Sequence, residues 1–248
     1  MTKNENKKIL EIDGIKLSSV YSGMYNKKRL DLSIMEINQN AVVTGVFTKN
    51  KAKSDTINIS QKNLKITNPK YIIVNSGNAN AGTGANGYKD IMNYINDFAK
   101  KTNCPKNKIL VFSTGVIGER IKVTNIKNSI LKLLSNLKSE NWVNFSKSIL
   151  TTDTKKKLIS KKVKIMDKNI NITGVTKGSG MINPNMATML SFVATDIKIK
   201  KISLSKILKR LTDISYNMIS VDGETSTNDA SLLIATGSNQ IDYEKLSL

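Results

Sequence analysis

The sequence predicts a mixed fold, α/β or α+β. Three observations carry that expectation. Short runs rich in β-branched residues recur along the chain. Stretches with apolar residues three and four apart lie between them. The two kinds alternate over all 248 residues, with no internal repeat and no long linker.

Taken in order, residues 41–47 (AVVTGVF) and 71–74 (YIIV) read as buried strands. Residues 90–100 place Ile91, Ile95 and Phe98 on one face of a helix that ends before Pro105. Residues 109–112 (ILVF) form another strand. Residues 126–137 form a helix with Ile130, Leu133, Leu134 and Leu137 inward. Val163/Ile165 and Ile170/Ile172 alternate around Asp167-Lys168-Asn169, the pattern of a β-hairpin. Residues 190–195 and 231–236 are strand-like. Ser203 is the expected N-cap of a helix whose core stripe is Ile207, Leu208, Leu211, Ile214 and Met218.

Composition excludes several chemistries. The chain has 39 Lys plus Arg against 19 Asp plus Glu, a formal charge of +20, with no His and one Cys. Without His there is no Ser-His-Asp triad, no Cys-His pair and no His-ligated metal. Cys104 alone gives no intrachain disulfide and no four-Cys zinc site, so a cytoplasmic, reducing setting is expected. Its simplest role is that of a small packed or surface thiol. Residues 1–8 are polar and lack the apolar run of a secretory signal, and no window is long and apolar enough to span a membrane. The basic charge invites a nucleic-acid reading. Arg29, Arg120 and Arg210 are the only arginines, however, which leaves 36 of the 39 basic residues as Lys. Bidentate recognition favours Arg, and aromatics are only 5%, too sparse for base stacking. No nucleic-acid partner is expected.

Small and polar residues cluster in four places: 75–87 (NSGNANAGTGANG), 113–118 (STGVIG), 177–190 (KGSGMINPNMATML) and 221–229 (VDGETSTND). Loops on strand ends are where sites tend to lie. Gly82 to Gly87 satisfies the spacing of a dinucleotide fingerprint, but it begins several residues beyond Val74 and the next strand ends in Ser113 rather than an acid. A glycine-rich turn entering a helix is the simpler reading. Asp222, Glu224 and Asp229 lack calcium-loop spacing. An Asp-Gly turn, followed by Thr225 or Ser226 as a cap, accounts for them.

A nucleophile working without His needs a Lys, a carboxylate or its own α-amine as base. An α-amine has a pKa near ~7.7–8.0, which suits the task. An internal Thr acquires one only if the bond before it is cut, and a small preceding residue helps its hydroxyl reach that carbonyl. Ala187-Thr188 meets the requirement. Ala-Thr is also an ordinary strand entry.

The four clusters, in this order and joined by 45–53 (GVFTKNKAK), resemble the ornithine acetyltransferase family of arginine biosynthesis, also called glutamate N-acetyltransferase. The resemblance runs from Gly45 to the end of the chain, and the KGSGM…PNMATML block is its most specific part. It implies a pair of β-layers sandwiched between helices. It also implies self-cleavage between Ala187 and Thr188, which gives an α piece (1–187) and the start of a β piece (188–248). Family members assemble as two of each. Thr188 then takes an acetyl group from N-acetylornithine and passes it to glutamate, and some members also accept acetyl-CoA. By the same resemblance Thr114 and Gly115 stabilise the oxyanion, while Thr151 (with Thr152 as the fallback) and Lys177 contact substrate. No metal or redox cofactor is implied. Helix-end capping, a plain strand-to-helix turn and a surface lysine are the ordinary alternatives for these residues. Glu224 stands where many members have Asp. The family continues well beyond residue 248 with further substrate contacts, so this chain by itself is expected to lack part of the site. A related self-cleaving N-terminal-threonine hydrolase and an inactive remnant are the competing expectations.

Overall fold

A computed structural model describes residues 8–165, 167–182, 189–239 and 241–246. Its strands are β1 (Ile15–Val20), β2 (Leu32–Ile37), β3 (Val42–Phe47), β4 (Tyr71–Asn78), β5 (Ile109–Val116), β6 (Lys157–Ile165), β7 (Lys168–Lys177), β8 (Leu190–Thr195) and β9 (Ala230–Ala235). Its helices are α1 (Asp55–Ile66), α2 (Gly84–Thr102), α3 (Val123–Ser135), α4 (Trp142–Ser148) and α5 (Lys201–Asp213).

The strands form two sheets, ordered β1-β2-β4-β5 and β3-β9-β8-β7-β6. Each contains one parallel pair, β4–β5 and β8–β9, and every other pairing is antiparallel. Parallel neighbours need a crossover, and helices α2 and α5 supply it. The sheets pack face to face over a core that includes Leu17, Met35, Ile72, Leu110 and Phe112 from the first and Val43, Val175, Phe192, Leu232 and Ile234 from the second. The Phe112 and Phe192 rings meet edge-on across the gap, 5.6 Å apart. Helices α2 and α3 cover the outer face of the first sheet through Ile91, Ile95, Phe98, Ile126, Ile130 and Leu133. Helix α5 covers the second through Leu204 and Leu208. The β-layers are therefore sandwiched between helices, as expected.

The hairpin forms with Val163 opposite Ile170 and Ile165 opposite Lys168. The expected stripe of α5 holds only at Ile207 and Leu208. Lys200 is the N-cap, Ser203 lies inside the helix, and the buried positions are Leu204, Leu208 and Thr212. Leu211, Ile214 and Met218 are exposed, Met218 by 74%. The sheet takes the 204/208/212 row at i, i+4 spacing, which turns the more apolar row outward. The helix also ends at Asp213, before that row is complete. Strands β1 and β2 and helices α1 and α4 carry no clean period in the sequence. In β2 five of six residues are buried, so its pattern does not alternate.

Candidate active site

Two of the polar clusters prolong the parallel strands rather than leaving them. Asn75 to Asn78 belong to β4, and Ser113 to Val116 belong to β5. The strands meet with an irregularity at Gly77 and Asn78. Gly115 has φ +136, and a Cβ there would lie 2.3 Å from the Gly77 carbonyl carbon and 2.5 Å from Asn78 N. Only glycine lets the two backbones approach this closely. Buried side chains fix the arrangement. Ser113 Oγ donates to Asn75 Oδ1 (2.6 Å), and Asn75 Nδ2 donates to the Asn78 carbonyl (2.8 Å). Asn228 Nδ2 donates to both Ala79 O (2.7 Å) and Ser113 O (2.9 Å). One amide thus ties the ends of β4 and β5 to the entry of β9. The plain turn considered for 113–118 gives way to a strand extension.

Beside these strand ends lies a cleft of about 630 Å³ lined by Thr114, Gly115, Thr151, Lys177, Glu224 and Asn228, among others. Thr114, Gly115, Thr151 and Lys177 come together here from three separate segments. Lys177, the last residue of β7, is only 3% exposed. It is no surface lysine. Its Nζ donates to Thr114 Oγ1 at 2.5 Å. An ammonium can only donate, so Thr114 accepts from Lys177 and keeps its own hydroxyl hydrogen to give elsewhere. Burial pushes Lys177 down to about 8, against the opposing pull of Asp153 and Asp229. Asp153 accepts from Lys157 Nζ (2.6 Å) and from Gly178 N–H (2.9 Å). Burial raises its pKa, but these bonds outweigh it and hold the carboxyl below its ordinary value. Helix α4 ends at Ser148 with Ile149 as C-cap, so Thr151 and Thr152 lie beyond it and do not cap it. Thr152 instead shares a 2.7 Å hydrogen bond with Ser179.

Ala187 and Thr188 lie outside the described residues. The next residue does not. Met189 is buried, and its N–H donates to Asp229 Oδ1 at 2.7 Å. Leu190 then pairs with Lys177 across the β7–β8 ladder. The chain downstream of the expected cut is thus anchored beside the lysine.

Asp222 and Gly223, with φ +68 and +67, make the expected turn. No helix follows it. Ser226 Oγ accepts from Asn228 N–H (3.1 Å) and caps nothing helical. The segment is held by GVFTKNKAK: Thr48 Oγ1 donates to Ser226 O (2.7 Å), and Asn50 Nδ2 donates to Thr225 O (2.8 Å). Gly84 and Gly87 open α2 behind Thr83 as N-cap, the simple reading of that glycine run. Asp153, Asn228 and Asp229 were not singled out as site residues by sequence. The signal was their place beside Thr151 and Thr152 and within VDGETSTND, which helix-end capping and turn chemistry explained equally well.

Comparison with known proteins bears on this arrangement. The ArgJ family model matches residues 16–247. The chain belongs to the ArgJ family. The arginine biosynthesis bifunctional protein ArgJ of Psychrobacter arcticus is 43% identical over 94% of this chain, and that of Thermotoga neapolitana 44% over 88%. The chain spans 58% and 56% of their respective lengths. A crystal structure of the Bacillus halodurans ArgJ protein aligns with TM-score 0.63 at 31% identity, over 74% of this chain and 100% of that one. An ornithine acetyltransferase from Mycobacterium tuberculosis, solved with ornithine, aligns with TM-score 0.65 at 24% identity, over 72% of this chain and 94% of that one. That likeness speaks for the fold alone. Among the described residues no helix is long and apolar enough to cross a membrane.

Proposed function

We propose that this ArgJ-family chain contributes the acyl-transfer centre of a self-cleaving ornithine acetyltransferase. One observation carries the reading. A buried lysine at the end of β7 donates to Thr114 beside Gly115, and the same lysine pairs along the β7–β8 ladder with the chain just after Thr188.

The chemistry follows from these groups. Cleavage between Ala187 and Thr188 frees an α-amine on Thr188. That amine takes the proton from the Thr188 hydroxyl as the oxygen attacks the acetyl carbon of N-acetylornithine. The tetrahedral oxyanion receives hydrogen bonds from the Thr114 hydroxyl and the Gly115 N–H, and each such donor is worth several kcal/mol. Collapse breaks the C–N bond, and the proton held by the α-amine leaves with ornithine. Glutamate's amine then attacks the acetyl-threonine ester, its proton passes to the α-amine, and Thr188 is regenerated with release of N-acetylglutamate. Lys177 and Thr151 hold substrate. A substrate carboxylate beside Lys177 stabilises its ammonium form. No metal or redox centre enters this balance. Acetyl-CoA as an alternative donor fits the same ester intermediate.

The cut falls within one folded unit. Sheet pairings β7–β8 and β3–β9 join residues on either side of it. The α piece (1–187) and β piece (from 188) therefore stay bound, and two of each form the expected assembly, in the cytoplasm. Intact mass and a transfer assay test the reading. Wild type yields pieces split before Thr188, Thr188→Ala stays whole, and Thr114→Ala cuts acetyl transfer by about 10². Release of free acetate at a rate matching or exceeding transfer to glutamate would make the protein a hydrolase instead.

A further inference from the structure

The transfer chemistry leaves one buried charged group beside the cleavage point without a role. Asp229 is only 1% exposed. Its Oδ1 accepts from Met189 N–H at 2.7 Å. Its Oδ2 is also buried and has no hydrogen-bond partner among the described residues. The two main-chain stretches are joined a second time, because Ala230 N–H donates to the Met189 carbonyl at 2.9 Å. Met189 is thus gripped at both its N–H and its C=O. Residue 188 is its covalent neighbour, so whatever fixes the Met189 amide limits where the preceding peptide can go. A carboxylate is an expensive choice for a purely structural acceptor. Asn or Ser would accept the same N–H without burying a charge.

We infer that Asp229 is a positioning residue for self-cleavage: its carboxylate holds the Met189 amide, which is covalently joined to Thr188, and cleavage before Thr188 depends on that grip. The inference rests on the self-cleavage reading above. It adds a group that acts through Met189 rather than on the reacting atoms.

The physical argument concerns the strength of the grip. An ionised acceptor holds an N–H roughly twice as strongly as a neutral one. Burial pushes the Asp229 carboxyl up to about 7. The charged and polar groups facing it are Lys177 from β7, the Met189 N–H before β8, and Ser226 from the segment before β9. Around neutrality the grip is therefore adjustable by pH. Asp229 and Lys177 pull on each other's charge, so the same ratio is also taken in a Lys177→Met background, where no lysine titrates.

The test follows cleavage by intact mass after cell-free synthesis of the 248-residue chain, between pH 6 and 8. Asp229→Ala slows cleavage at least tenfold at pH 7.5. Asp229→Asn keeps a neutral acceptor and cleaves within about threefold of wild type at pH 6. The ratio of wild-type to Asp229→Asn rates rises at least threefold by pH 8. Ser231→Ala, which alters a neighbouring buried hydroxyl on β9, cleaves like wild type. Thermal melts identify any variant that fails to fold, and the pH dependence of the Asp229→Asn ratio then decides alone. A flat ratio, an unslowed Asp229→Ala or an equally slowed Ser231→Ala overturns the inference while self-cleavage stands. A wild-type chain that never splits overturns the functional reading and this inference together.

Discussion

Replacing Lys177 with Met separates the cost of a buried charge from its use. The side chain lies 3% exposed, and its pKa is about 8 against an ordinary 10.5. That interval corresponds to about 3 kcal/mol of preference for the uncharged form in the folded state. The sign is fixed by linkage. Between about pH 8 and 10.5 the unfolded chain binds the proton and the folded one does not, so stability rises with pH across that window. Below it the folded protein carries the full cost. Methionine fills a similar volume without charge, but Thr114 Oγ1 then loses its donor, worth about 1 kcal/mol. Lys177→Met is therefore more stable than wild type by about 1–2 kcal/mol at pH 7 and less stable by about 1 kcal/mol at pH 10.5. Urea unfolding at the two pH values measures the crossover. The same variant loses acetyl transfer, because both the proposed substrate contact and the orientation of the Thr114 hydroxyl are gone. A variant destabilised at pH 7, or a gap that does not change with pH, would refute the claim that a costly charge is kept here for function.

Other outcomes follow from the strand ends. Gly115→Ala sets a methyl against the Gly77 and Asn78 backbone at a φ that side chains avoid. It destabilises by at least about 3 kcal/mol and abolishes transfer, read by thermal melts and a transfer assay. Asn228→Ala strips the donor from the buried Ala79 and Ser113 carbonyls at once. About 2–4 kcal/mol of stability is lost, and kcat falls more than KM rises, because the strand ends that carry the proposed oxyanion donors are what move.

Much of the fold was legible because its clearest elements obey a single period. Strands 71–74, 109–112 and 190–195 are short apolar runs, and α2 buries Ile91, Ile95 and Phe98 as its spacing demands. Strand β2 was not legible because burial on both faces removes alternation. The stripe of α5 was right at Leu208 and misjudged beyond it, because hydrophobicity alone pointed to Leu211, Ile214 and Met218, while the sheet took Leu204 and Thr212 beside Leu208. Among the candidate site residues, Thr114, Gly115, Thr151 and Lys177 were singled out through motif resemblance, and they share one cleft. Asn228 and Asp229 were missed because an Asp-Gly turn already accounted for the run that holds them.

The sequence by itself determined the mixed class, the absence of imidazole chemistry and the family, since each depends on residue identity and order along one dimension. The tertiary structure decided which of 36 lysines is buried against a threonine from another sheet. It also decided why glycine is obligatory at 115 and which carboxylate accepts from the Met189 N–H. Those are contacts between residues 63 positions apart for the lysine, 38 for the glycine and 40 for the carboxylate. No local propensity encodes such contacts, because they exist only once strands distant in sequence have paired and, for the lysine, once the two sheets have closed on a common core.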